Sequence, residues 1–113
     1  LFHSLCLEPR ERAAADYLRG MGASGLGVEA AARTAAVLST GAEGAIPLKE
    51  GYAAAMAAQN TSYACVEKNI RSMVGKLQAG ACGEYQALMG GLPAERPSNE
   101  LFLRRLARRI LEW

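Results

Sequence analysis

Lys68 and Arg71 stand three residues apart in the stretch NTSYACVEKNIRSMVGKL, residues 60–77. On a helix that spacing brings both cations to one face. Both are residue types that pair with guanine O6 and N7 in the major groove of DNA, or hold a phosphate. Asn60, Thr61 and Ser62, just ahead of them, are helix-capping types whose polar side chains and backbone N–H groups can meet a phosphate. Lys76 is a further candidate phosphate contact on the flank of the same face. A second basic group, Arg104, Arg105, Arg108 and Arg109, lies near the C-terminus. Four arginines so close repel one another unless an anionic surface or solvent faces them. Arg104 and Arg105 are the candidates there for phosphate contacts that serve specific and random sequence alike.

Catalysis finds little to work with. The chain offers a single histidine, His3, close to its first residue, and scattered carboxylates. No acid, base and nucleophile converge, so no enzyme is expected and no catalytic residue is assigned. Cys65 beside Lys68 is the candidate for a reactive thiol, because a nearby cation lowers a thiol's pKa. Cys6, Cys65 and Cys82 are odd in number, widely spaced and without a CxxC pair. That pattern predicts no structural zinc or other metal, no cofactor, and three free thiols in a reducing cytoplasm.

The helix that must display Lys68 and Arg71 is legible from its period. With Val66 at zero and an advance of about 100° per residue, Val66, Ile70, Met73, Val74 and Leu77 fall in one apolar arc. Ala64, Lys68, Arg71, Ser72 and Gly75 fall opposite, with Cys65 and Lys76 on the flank. The outward face is small or cationic and includes a bare glycine, so it can lie against a surface. This helix is expected over Tyr63–Gln78. A shorter helix, about Leu48–Ala58, should precede it, opened by Pro47 and interrupted by Gly51, with QNTS as the break. Short helix, polar break and longer basic helix make a helix-turn-helix arrangement.

The remaining elements follow from glycines, prolines and caps. Pro9 suits the first turn of a helix running to Arg19, ended by the glycine cluster GMGASGLG. A second helix, about Val28–Ser39, should bury Ala31, Ala35 and Leu38. A short helix near Glu84–Met89 lies between glycines, and Ser98 or Asn99 caps a last helix. There Phe102, Leu106, Ile110 and Trp113 form the expected core stripe. The reading is an all-α fold, a compact five- to six-helix domain over residues 8–113, with residues 1–7 as a linker remnant.

Composition agrees. The 113 residues fit one small domain; half are hydrophobic, much of that alanine, and aromatic residues make up only 6%. The net charge of +2 is unevenly placed: residues 1–60 hold five Lys/Arg against six Asp/Glu, residues 61–113 eight against five. The basic half is the one carrying the candidate DNA-facing helix. No apolar run is long enough to span a bilayer and no signal peptide is visible, so a membrane partner is not expected.

Two of these stretches resemble a known family. NTSYACVEKNIRSMV is similar to the recognition helix of the C-terminal DNA-binding effector domain found in the sporulation master response regulators of endospore-forming Firmicutes. RPSNELFLRRLARRI resembles the segment that opens that domain's last helix. YLRGMGASGL and VEAAARTAAVL lie in the corresponding order, with looser agreement, so the resemblance spans about Tyr17 to Ile110. It implies a six-helix domain with a central helix-turn-helix that regulates transcription from promoter DNA. It further implies TGTCGAA-like boxes, often bound by head-to-tail pairs, contact with the sigma subunit of RNA polymerase, and control by a phosphorylated receiver domain not present in this chain. On the matching positions it makes Glu67, Lys68, Arg71 and Ser72 the base-contacting set. Lys68 replaces the more usual Arg, Cys65 stands where the family has Arg, Ser72 where it has His, and MAAQN where it tends to show a lysine pair. Each missing cation removes a contact. The rival reading is a helical protein-interaction module that keeps the fold and has lost specific DNA binding.

Overall fold

The alanine-rich segment LGVEAAARTAAVL forms the helix against which four of the other five pack. A computed structural model of the chain describes residues 2–113, with side chains from Glu8 onward. Six helices follow in order: α1 (Phe2–Gly20), α2 (Leu26–Leu38), α3 (Leu48–Gln59), α4 (Tyr63–Gly80), α5 (Gly83–Met89) and α6 (Asn99–Leu111). There is no strand among the described residues. The radius of gyration, 12.8 Å, is that of one compact domain of this length. No helix among the described residues is long and apolar enough to cross a membrane.

α2 packs against α1, α3, α4 and α6, and its small side chains let all four approach closely. Ala31, Ala35 and Leu38 are buried as expected, together with Val28, Ala30 and Thr34. Two glycines mark the closest crossings. A Cβ on Gly27 would sit 2.5 Å from the carbonyl oxygen of Asn69 on α4. A Cβ on Gly51 would sit 2.7 Å from Cγ2 of Thr34, whose hydroxyl donates to the Gly51 carbonyl at 3.3 Å. Gly51 therefore does not interrupt α3, as its helix propensity suggested; α3 is continuous and uses the glycine to pass α2.

Two further expectations change at the ends of the chain. α1 begins at Phe2, so Pro9 lies inside the helix rather than in its first turn, at the loss of one intrahelical hydrogen bond. Leu1 of the expected linker lies outside the described residues, and the backbone from Phe2 onward is already helical. At the other end Phe102, Leu106 and Ile110 are buried, but Trp113 is 54% exposed. α6 has ended at Leu111, so the helical spacing no longer directs the tryptophan inward; it lies edge-on to Tyr17, 5.2 Å between ring centroids.

Candidate nucleic-acid interface

α3 and α4 are joined by three residues, each with a distinct part. Asn60 closes α3 in the left-handed conformation (φ 50°, ψ 54°) that Asn tolerates better than most residues. Its N–H and that of Thr61 bond back to Ala57 and Met56, so those two donors close α3 and are not free for a phosphate. Ser62 is the N-cap of α4, its hydroxyl oxygen accepting from the Cys65 N–H at 3.2 Å. The Ser62 hydroxyl is engaged as the cap and, with the Thr61 side chain, on the Cys65 thiol, which leaves the Asn60 side chain the most open of the three to an outside partner. Tyr63 then packs edge-on to Tyr52 of α3, 5.1 Å between centroids, holding the two helices together at the turn.

The phase of α4 is as its sequence period predicts. Val66, Ile70, Met73, Val74 and Leu77 are buried, all at 4% exposure or less. Lys68, Arg71, Ser72 and Lys76 are exposed on the other side. Arg71 is not idle: its Nη1 donates to Glu67 Oε1 at 3.1 Å, one helical turn back. Such an exposed pair contributes little, and a guanidinium keeps further N–H groups for another acceptor. Lys68 and Lys76 form no ion pair with any described carboxylate. Ser72 and Lys76 line an open cleft of about 360 Å³ where the start of α2 meets α4, with Ser24 and Asn69 beside them.

Tilt is fixed from the far side. Asn99, at the start of α6, donates to the backbone carbonyl of Glu67 at 3.0 Å and to the Tyr52 hydroxyl at 3.1 Å. Burial pushes the Tyr52 hydroxyl above its ordinary pKa, opposed by the hydrogen bond from Asn99. One amide thus ties α3, α4 and α6. The thiol of Cys65, exposed in the first turn of α4, is held below its ordinary pKa by the Ser62 and Thr61 side chains, with Lys68 adding to the effect.

The C-terminal arginines are placed differently. Arg104 gives Nη1 to the Ile46 carbonyl at 2.9 Å and Nε and Nη2 to Glu100 at 3.3 and 3.1 Å. Its guanidinium is therefore already engaged by a carbonyl and a carboxylate of the domain itself. Arg105 is half-buried between α5 and α6, in a groove shared with Arg108 and Arg109. Arg108 faces Glu43 at 3.8 Å, and Arg109 faces Glu112 at 3.5 Å and lies over the Tyr17 ring. No α4 residue lines that groove, nor the one beside Arg104, so neither Arg104 nor Arg105 joins the α4 face.

The residue that sequence reasoning missed is Arg96. It lies against Gly75 of α4 and lines a cleft with Glu67, Arg71, Ser98 and Asn99. Its loop, rich in Gly and Pro, carries no period from which its side could be read. Among the described residues, no group of three His, Cys, Asp or Glu side chains is placed to hold a metal ion. Comparisons with protein-family models, curated proteins and solved structures give no match to this chain.

Proposed function

We propose that this chain is a sequence-specific DNA-binding domain of a transcription regulator, a helix-turn-helix with α4 seated in the major groove. The observation that carries the reading is the phase of α4. Its entire apolar stripe is buried, and Lys68, Arg71 and Ser72 are displayed together beyond a capped three-residue turn. Glu67, Lys68, Arg71 and Ser72 are the base-reading set, and Asn60, Thr61, Ser62 and Lys76 face the flanking phosphates.

The motif resemblance extends the proposal to a response-regulator effector of the sporulation kind, working in the cytoplasm. A receiver domain elsewhere in the full protein would govern it, with the sigma subunit of RNA polymerase as partner and head-to-tail pairing on promoter DNA. The role is binding rather than catalysis. One observation favours the rival interaction module: Arg71, the best base reader on the face, is already paired with Glu67.

Fluorescence anisotropy decides between them, with a TGTCGAA-containing duplex and a scrambled one at two salt concentrations. A DNA reader binds the first more tightly and loses affinity steeply with salt. Equal, salt-sensitive binding to both duplexes means a different preferred site. Absence of binding at low salt defeats the DNA reading and leaves the interaction module.

A further inference from the structure

We infer that the segment Pro93–Asn99 is a strap laid along α4 which supplies a second phosphate-holding side chain, Arg96, on the edge of α4 opposite Lys76. The inference rests on the DNA reading above and extends it to an element outside the helix-turn-helix.

The strap is fixed to α4 at both ends. At one end Gln78 Nε2 donates to the Pro93 carbonyl at 2.6 Å, while Gln78 Oε1 accepts from the Tyr85 hydroxyl, also at 2.6 Å. The Tyr85 ring is fully buried, so this end is anchored in the core. At the other end Asn99 donates to the Glu67 carbonyl, and Ser98 caps α6 by accepting from the Leu101 N–H at 3.1 Å. From Gln78 to Glu67 is about 16 Å along a helix at 1.5 Å per residue. Pro93 to Asn99 is six steps along the chain, which reach roughly 20 Å at full extension, enough to span that distance. The chain therefore runs back along α4 from its C-terminal turns toward its first ones. Pro97 is buried on the way.

Midway along, the strap meets Gly75. A Cβ there would lie 3.5 Å from Cδ of Arg96, so the arginine stem passes beside the bare glycine, and its side chain lines a cleft with Glu67 and Arg71. Arg96 is exposed, and it forms no ion pair with any described carboxylate. On the helical projection Gln78, Arg71 and Gly75 lie toward one edge of the displayed face and Lys76 lies toward the other. The major groove is about 12 Å wide, close to the width of a helix with its side chains, and a phosphate strand borders it on each side. Cations on both edges of α4 match that pair of strands: Lys76 for one, Arg96 for the other.

The test measures the salt dependence of binding to both duplexes for the whole chain and for Arg96→Ala, Arg96→Lys, Lys76→Ala and the double alanine variant. Thermal melting of each serves as the fold control. A phosphate contact appears as a fall of about 0.9 in the slope of log affinity against log salt. The expected result is that fall for Arg96→Ala on specific and scrambled DNA alike, its restoration by Arg96→Lys, and about twice the fall in the double variant. The melting temperature should not move. A steep slope in the original chain that Arg96→Ala leaves unchanged overturns the inference. So does a loss confined to the specific duplex, which would make Arg96 a base reader. If the original chain binds neither duplex, the DNA reading itself fails and the strap's role falls with it.

Discussion

The two basic helices of this domain carry similar residues and put them to different use. On α6, Arg104 is spent on the Ile46 carbonyl and Glu100, Arg108 faces Glu43, and Arg109 faces Glu112 and covers Tyr17. On α4, Lys68 and Lys76 have no described carboxylate partner, and Arg71 has one exposed pair only. A count of charges ranks α6 as the more basic surface, but its arginines divide: Arg104 is held by hydrogen bonds, Arg108 and Arg109 lie in exposed ion pairs, and Arg105 has no ion-pair partner among the described residues. What distinguishes a surface available to an anionic partner is the number of cations whose donors remain open, which depends on neighbours distant in the chain.

The comparison can be broken at its base by testing the phase of α4. Ile70→Ala removes a fully buried side chain and should cost about 2–5 kcal/mol in denaturant unfolding. Lys68→Ala, on the displayed side, should stay within about 0.5 kcal/mol. Equal effects would mean that the two sides of α4 are not distinct. Next in size, Arg71→Ala should weaken specific DNA binding by roughly 1–3 kcal/mol, with the melting curve almost unmoved. A variant that melts early while binding DNA normally would assign Arg71 to the fold instead.

Arg104→Ala should give the reverse pattern, a smaller loss of about 0.5–1.5 kcal/mol in stability with DNA binding intact. Weakened binding by a well-folded Arg104→Ala protein would return α6 to the interface. The mildest probe is chemical. Because the Cys65 thiol is held below its ordinary pKa, the thiolate is present at lower pH than in a free cysteine. Its alkylation rate, followed by mass spectrometry across pH, should therefore reach half-maximum below the value for a free cysteine. Ser62→Ala should move that midpoint back up, since the Ser62 side chain is the main cause of the depression.

Much of the fold was legible because helices advertise themselves by period. The five buried residues of α4 and Phe102, Leu106 and Ile110 of α6 follow from apolar spacing, and the polar break before α4 from its capping residues. The same reasoning failed where period stops or where small residues carry more than one meaning. Trp113 continues the α6 spacing on paper but lies past the helix end. Gly51 reads as a breaker by propensity and acts as a close-packing site, a distinction set by Thr34 on another helix. At the candidate interface, Lys68, Arg71 and Ser72 were found on one face as expected. The fate of Arg104 was hidden because Ile46, its acceptor, lies 58 residues away. Arg96 was hidden because an aperiodic loop gives no sign of the helix it lies along.

The crossing at Gly27 bears on how α4 moves. The backbones of α2 and α4 meet there with no side chain between them to yield, and Asn99 holds α4 from the other side. A side chain at Gly27 would push the two helices apart, so their contact depends on the bare backbone there. The amide protons of the two helices should then exchange with solvent in a single cooperative opening rather than helix by helix. A partner docking on α4 meets a surface already set at its final pitch, with little ordering left to accomplish on contact.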